Sequence, residues 1–257
     1  MDELDTHIDE VPQDDLEDDR VESPDTREVA SRLLALIVMD LRCSVEARFA
    51  AGQRESVMTW AEAQGIVEGV EEHLHPIERQ LLFDKKVGDW DAGLRRDVHW
   101  LIEGQAMVRW ALDGLAELPP PDLTTNPGEL GPGPLITPNS FIDTAMLRPE
   151  AEIERAAEVA AFWLWRARAG PFRGKRLLPP HVREAVDRAA SEGVIDPTMI
   201  IDGDVVAFGG PVFQLEEDLH EILTSIATER CRAARWLVGF DEDFYEVSIE
   251  TQTLFDS

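Results

Sequence analysis

Apolar residues recur at helical spacing along most of the chain. In the first stripe, Leu34, Ile37, Leu41 and Val45 follow one another at intervals of three or four residues, with charged residues between them. This pattern predicts an amphipathic helix that ends at Gly52, because glycine commonly follows the last helical turn. The same spacing predicts further helices over residues 55–64, from residue 75, and over residues 91–113, 148–169, 179–193 and 216–238.

Two segments interrupt the helical pattern. Residues 118–140 contain seven prolines and three glycines, a composition that predicts a long ordered loop or a linker. Residues 199–208 form two short apolar runs joined at Asp202-Gly203, which is a strong β-hairpin signal. Residues 245–249 are compatible with one more strand. The predicted fold is mainly α with a minor β component, a multi-helix globular domain with one β-hairpin near residues 199–208.

The N-terminal segment differs from the predicted helices because it is rich in acidic residues. The chain of 257 residues carries 52 acidic and 24 basic side chains, a formal net charge of −28. Residues 1–26 hold twelve of the acids against one base, and few of their side chains are large and apolar. Such a segment cannot bury enough surface to offset its ordering entropy. We therefore expect a disordered acidic tail over residues 1–26. Residues 27–257 then form a single helical domain, or two lobes joined by the proline-rich loop 118–140.

The charge also limits the classes of partner. Acidic surfaces repel phosphates, so neither nucleic acid nor an anionic membrane is expected as a partner. The longest aliphatic run, residues 33–39, is shorter than the ~20 residues of a membrane-spanning helix. The N-terminus lacks the basic start and apolar run of an export signal. We therefore expect a soluble cytoplasmic protein, whose acidic tail suits a basic protein partner.

Familiar catalytic and cofactor-binding motifs are absent from the sequence. It contains no Gly-x-Ser-x-Gly, His-Glu-x-x-His, Cys-x-x-Cys or Gly-x-Gly-x-x-Gly motif. Two cysteines, Cys43 and Cys231, are too few for a thiolate zinc site. His73 and His75 would point about 200° apart on a helix, which disfavours a shared metal ion. We therefore expect no cofactor and no metal.

Arg230 is the most informative single residue. It falls within the apolar stripe of the predicted helix over residues 216–238. A buried guanidinium needs a partner, because leaving its charge unpaired costs several kcal/mol. Arg230 is therefore either half of an internal ion pair, with Glu103, Asp241 or Glu246 as candidate carboxylates, or an anchor for a ligand. The stripe consists of Leu219, Leu223, Ile226 and Leu237.

A second group of candidates combines basic and aromatic side chains. Arg166 and Arg168 follow an aromatic run at the end of a predicted helix, and with Trp100 and Trp110 they could line a pocket for a small anion. Alternatively, the tryptophans are core residues and the arginines lie at a solvated helix end, where cations are favoured. Gln105 interrupts the apolar stripe of its own helix and has the same two interpretations as a structural or ligand-binding group.

Several short motifs stand in a characteristic order along the chain. They are Trp100 with Glu103, Trp110-Ala111-Leu112, Leu118-Pro119-Pro120, Phe141 before Leu147-Arg148, Trp165-Arg166-Ala167-Arg168, Glu229-Arg230, Trp236-Leu237, Tyr245-Glu246-Val247 and Glu250-Thr251. In these motifs the chain resembles the bacterial domain of unknown function 4272 family, over roughly residues 28–252. The resemblance implies one bacterial cytoplasmic domain and no established activity.

The sequence favours a non-enzymatic protein-binding module, because it lacks a catalytic constellation and carries a tail suited to a basic partner. A specific version is an immunity or antitoxin-like protein that neutralises a basic effector. The alternative is a small-ligand-binding protein, or an enzyme, with a site assembled around Arg230, Arg166 and Trp110. A sealed ion pair at Arg230 would argue against this alternative, whereas a pocket that joins Arg230 to Arg166 or Trp110, with carboxylates in reach of both, would favour it.

Overall fold

The computed structural model describes residues 21–131, 133–172 and 178–249 of the chain. Most of these residues are helical and the rest include one small antiparallel sheet, which confirms the mainly α fold with minor β. The α-helices are α1 (Thr26–Ala50), α2 (Ser56–Glu68), α3 (Pro76–Arg79), α4 (Ala92–Ala111), α5 (Pro127–Leu130), α6 (Pro138–Thr144), α7 (Glu150–Arg168), α8 (Pro180–Ser191) and α9 (Glu217–Leu237). The strands are β1 (Ile200–Ile201), β2 (Asp204–Ala207) and β3 (Gly210–Pro211).

Helix α1 lies in the middle of the core. Nearly all of its residues from Val29 to Met39 are buried, because the run that begins at Leu33 is apolar on every face. Helix α4 packs against it, as do α2 and α6. The helix begins with a capping box, in which the Asp25 and Glu28 carboxylates each accept a hydrogen bond from the backbone N–H of the other residue. This cap fixes where the helix starts.

Helix α9 packs against both α4 and α7. Helix α4 precedes the proline-rich segment, whereas α7 and α9 follow it. One apolar cluster extends along the chain from Val29 to Val247 and includes buried residues of all these helices. Helices on both sides of the proline-rich segment therefore share a core.

The proline-rich segment contains more helix than its composition suggests. Helices α5 and α6 begin at Pro127 and Pro138, and a 3₁₀ turn covers Gly133–Ile136. Proline is tolerated at the first helical position, because its missing N–H would have no intrahelical partner there in any case. The prediction of a loop throughout residues 118–140 is corrected at these positions.

The predicted hairpin is present and is part of a three-stranded sheet. Strands β1 and β2 pair antiparallel, with Ile200 opposite Val205, through a turn at Asp202 and Gly203. Both turn residues have positive φ, 55° and 81°, as an Asp-Gly hairpin turn requires. Strand β3 pairs with the other edge of β2.

The segment over residues 245–249 does not form a strand. The Glu246 backbone N–H donates to the Asp243 carbonyl, and the Asp243 carboxylate accepts from the backbone N–H of Tyr245. Such local bonds from an aspartate favour a turn over an extended chain. The suggestion of a strand here is therefore wrong.

The acidic N-terminal segment enters the described structure at Val21. The Val21 N–H donates to the Gly239 carbonyl at 2.8 Å, and Asp25 caps α1, so the last residues of the predicted tail contact the fold. The rest of that tail, residues 1–20, lies outside the described residues, as does the Glu250-Thr251 motif. Within the described part of the chain, every helix is too short or too polar to cross a membrane.

Candidate functional site

Arg230 of α9 forms a closed cluster with α4 and the start of the proline-rich segment. Its Nε and Nη2 atoms lie 3.0 and 2.8 Å from Oε2 of Glu103. The remaining N–H groups donate to the backbone carbonyls of Pro119, Pro120 and Leu123 at 2.8 to 2.9 Å. A guanidinium has five N–H donors, and each of them has an acceptor here. Arg230 therefore has no donor left for a ligand.

Both oxygens of the Glu103 carboxylate accept hydrogen bonds. It is fully buried and accepts from the backbone N–H and the hydroxyl of Thr125, each at 2.8 Å, in addition to Arg230. The pair holds the start of the proline-rich segment against α4 and α9. The other two carboxylates considered as partners, Asp241 and Glu246, make no bond to Arg230.

Arg166 belongs to a separate buried ion pair with Asp204 of β2. Nε and Nη2 lie 2.6 and 2.5 Å from the two carboxylate oxygens, and both side chains are fully buried. Asp204 also accepts from the backbone N–H groups of Val205 and Phe213 at 2.9 and 2.7 Å. This pair attaches the end of α7 to the sheet and shares no partner with Arg230.

The remaining predicted site residues are dispersed. Arg168 donates to the backbone carbonyl of Ile249 at 2.6 Å. Gln105 is buried, and its Oε1 atom accepts no hydrogen bond from the described residues. Trp110 and Arg230 line the same apolar cavity between α4, α7 and α9, whereas Trp100 lines a different cleft. Of the predicted site residues, only Trp110 and Arg230 therefore share a described pocket, and Arg166, Arg168, Gln105 and Trp100 are not part of its lining.

The cleft beside Trp100 combines apolar and acidic walls. It has a volume of about 990 Å³ and lies between the first half of α4, most of α9 and the residues around α3. We call it the acidic cleft. Its apolar lining includes Leu81, Leu94, Val98, Trp100, Leu101 and Ile222. Its carboxylates are Glu78, Asp97, Asp218, Glu221 and Glu229, against the guanidinium groups of Arg96 and Arg232.

Glu229 is a buried carboxylate of the acidic cleft that is only partly satisfied. The residue is 9% exposed, and its Oε2 atom lies 3.4 Å from Nη1 of Arg232 in an ion pair but accepts no hydrogen bond from the described part of the chain. Burial raises the pKa of the Glu229 carboxyl, and the charge of Arg232 offsets this only in part. Buried polar atoms normally have a hydrogen bond, so a buried carboxylate oxygen that has an ion-pair partner but no hydrogen bond marks a candidate binding group.

A hydrogen-bonded network lies at the α3 end of the acidic cleft. The Tyr245 hydroxyl donates to one oxygen of Glu78 at 2.6 Å, and the other oxygen accepts from Arg32 at 2.5 Å and from the His75 backbone N–H at 2.7 Å. Burial and the neighbouring charge of Glu78 raise the pKa of Tyr245 well above its usual value. The phenol is therefore a fixed donor, and Glu78 is fully occupied by internal partners.

Sequence reasoning missed the acidic cleft. Its carboxylates come from three separate parts of the chain, each with the composition of an exposed helix face. The sequence signal nearest to the cleft is the spacing of His75-Pro76 and Glu78, which predicts that a helix starts there. The structure confirms this as a capping box, but the spacing alone does not show that Glu78 is buried.

The histidines and acids near α3 do not form a metal site. His75 pairs with Asp243 at 3.0 Å, and His73 lies 3.7 Å from Glu72. Across the described residues, three or more His, Cys, Asp or Glu side chains nowhere gather in a way that could hold a metal ion.

Comparison with known proteins places most of the chain in a family. A family model described as "Domain of unknown function (DUF4272)" matches residues 7–186. The matched region includes Trp110, Glu103 and Arg166 but ends before Arg230. No curated protein and no solved structure matches the chain.

Proposed function

The chain belongs to the DUF4272 family, whose description assigns no activity, and we propose that it is a non-enzymatic binding module for a basic partner protein. The binding site in this proposal is the acidic cleft. The observation that carries it is an apolar wall bordered by carboxylates, two of which, Asp218 and Glu221, have no arginine partner among the described residues. An amphipathic segment with basic side chains on one face and apolar side chains on the other matches both properties.

Two carboxylates at the rim of the acidic cleft are available to an incoming cation. Asp218 and Glu221 lie one turn apart in the first turns of α9, and both are exposed. Their carboxylates have no hydrogen-bond or ion-pair partner among the described residues. Exposed ion pairs each contribute only about 0.2–1 kcal/mol, so these two groups orient a partner more than they hold it. Glu229 is shielded from water, so an ion pair between its carboxylate and a cation of the partner contributes more binding free energy than an exposed ion pair at the rim.

The charge of the whole chain supports the same kind of partner. Residues 1–20 carry ten acids and one base, and the net charge of the chain is −28. Such a field attracts a basic protein over distance and raises the association rate at low salt. In the specific form of this proposal, the partner is a basic effector that the protein neutralises, as an immunity or antitoxin-like protein does.

The bonding of the two buried arginines argues against the alternative site around Arg230, Arg166 and Trp110. Arg230 has an internal acceptor for every N–H group, and Arg166 is held by both oxygens of Asp204. An anionic ligand would have to break these bonds before it could bind. A binding protein that uses carboxylates therefore fits the observed charges better than one that uses these arginines.

A defined peptide tests the proposal. We expect a fluorescein-labelled amphipathic helix of leucine and lysine to bind, as measured by fluorescence anisotropy, and a leucine–glutamate peptide of the same pattern to fail. The double variant Asp218→Asn/Glu221→Gln should weaken binding of the lysine peptide about tenfold at low salt, because it removes the two cleft carboxylates that have no arginine partner among the described residues.

Helix α8 offers a matched control. Glu184 and Asp187 have the same three-residue spacing and lie on the surface, but they are outside the acidic cleft. The variant Glu184→Gln/Asp187→Asn changes the net charge equally and should bind the lysine peptide like the unaltered protein. Equal weakening by both double variants would show general charge attraction instead of a site. A lysine peptide that does not bind at all would reject the proposal.

A further inference from the structure

The apolar cavity beside Trp110 is separate from the acidic cleft. It has a volume of about 620 Å³, lies between α4, α7 and α9, and is bordered by residues 118–121 of the proline-rich segment. We call it the Trp110 cavity. Its lining includes Met107, Trp110, Pro120, Val159, Trp163 and Ile226.

The walls of the Trp110 cavity are held in place by bonds within the protein. The Arg230 guanidinium fixes the carbonyls of Pro119 and Pro120, as described above. On the other side, the Arg148 guanidinium stacks over the Trp110 ring, 5.0 Å from its centre, and donates to the Trp110 carbonyl at 2.8 Å. A ligand therefore meets a preformed wall and does not have to order it.

The charges around the Trp110 cavity indicate what kind of molecule fits. Three charged side chains line it, and each already has a partner within the protein. Arg230 is saturated, Glu152 pairs with Arg148 at 3.3 Å, and Arg155 pairs with Glu158. A charged ligand would lose its hydration here without gaining a free counter-charge, which is unfavourable.

Small side chains create the space in the Trp110 cavity. Ala156 and Ala160 of α7 and Ala227 of α9 line it, whereas two tryptophans supply broad apolar surfaces. The volume lies within the ~300–1,000 Å³ of small-molecule sites, and aromatic rings pack favourably against indole faces. We propose that the Trp110 cavity binds a small uncharged aromatic molecule.

An uncharged fluorescent probe tests this site. N-phenyl-1-naphthylamine should bind one-to-one with a saturable increase in emission. Its sulfonated relative 1-anilinonaphthalene-8-sulfonate should bind more weakly, because the two cations that line the cavity, Arg230 and Arg155, already have carboxylate partners. The variant Ala156→Phe places a ring in the cavity from a half-buried position and should weaken binding of the uncharged probe at least tenfold.

Further variants distinguish binding in the Trp110 cavity from binding elsewhere on the protein. Ala190→Phe makes the same change at a half-buried helical alanine of α8 outside the cavity, and should leave probe binding intact. Ala227→Leu fills the cavity from α9 and replaces Ala156→Phe if that variant loses its native melting transition. The acidic-cleft variant Asp218→Asn/Glu221→Gln should also bind the probe normally, so the two proposals fail separately.

Three results would overturn the inference. One is unchanged probe binding by a folded cavity-filling variant. Another is equal affinity for the sulfonated probe. The third is a dimer, seen by sedimentation, that excludes the probe and is dissociated by Ala156→Phe, because the cavity would then be an interface between copies of the chain.

Discussion

Replacing Arg230 by methionine tests the central ion pair of the fold. Methionine keeps an apolar stem but removes the charge and all five N–H donors. The carboxylate of Glu103 is fully buried, and only Thr125 would remain as its partner. Removing one partner of a buried ion pair costs ~3–5 kcal/mol, because the other charge is left uncompensated. For a chain of this size, we expect a loss of about 6 to 20 °C in melting temperature.

The double variant Arg230→Met/Glu103→Gln distinguishes the charge from the packing. Glutamine removes the uncompensated charge and still offers an oxygen to Thr125. We therefore expect the double variant to be more stable than Arg230→Met alone, with a coupling energy of about 1–3 kcal/mol in a double-mutant cycle. Urea unfolding followed by far-ultraviolet circular dichroism measures all four proteins. The reasoning is refuted if Arg230→Met costs less than about 1 kcal/mol, or if the two single losses simply add.

Two further predictions concern buried titratable groups. Glu229→Gln should raise the melting temperature at neutral pH, because burial raises the pKa of Glu229 and its charged form therefore destabilises the folded state. This gain should shrink as the pH falls from neutral toward 4.5, because the folded-state carboxyl, whose pKa is raised, takes up a proton before the unfolded chain does and its charge no longer destabilises the fold. Melting curves at several pH values would contradict the assignment if the gain were constant. Cys43 and Cys231 are buried and burial raises the pKa of each thiol to about 11, so both should react with a thiol reagent only in denaturant, and rapid labelling of the native protein would contradict their burial.

The sequence predicts those parts of the fold that depend on local rules. Periodic apolar residues and the Asp202-Gly203 turn act within a few residues, so the long helices and the hairpin follow from them. The sequence also predicts that Arg230 forms an ion pair, because a charge inside an apolar stripe requires a partner, and it limits the candidate acids to a few that include Glu103. Identifying Glu103 as the partner, instead of Asp241 or Glu246, requires knowing that α9 packs on α4, which no local pattern specifies.

Arg166 shows where local rules fail. Its position near a helix end suggested a solvated cation, which is the common case. Strand β2 covers this helix end instead, and Asp204, which looks like an ordinary turn residue in the hairpin, becomes a fully buried partner. The acidic cleft was missed for a related reason, since its carboxylates lie far apart in the sequence and converge only when α3, α4 and α9 pack together.

The contrast between satisfied and unsatisfied charges is the strongest guide to function in this chain. Arg230 is bonded at every donor and Arg166 is held by both oxygens of Asp204, which fits a structural role, whereas the buried Oε2 atom of Glu229 accepts no hydrogen bond from the described residues. A group that destabilises the free protein can be retained because it contributes to binding. The two proposed effects of Glu229→Gln are therefore linked: the variant should be more stable and should bind the lysine peptide more weakly. A variant that gains stability and binds the peptide as before would remove Glu229 from the proposed site.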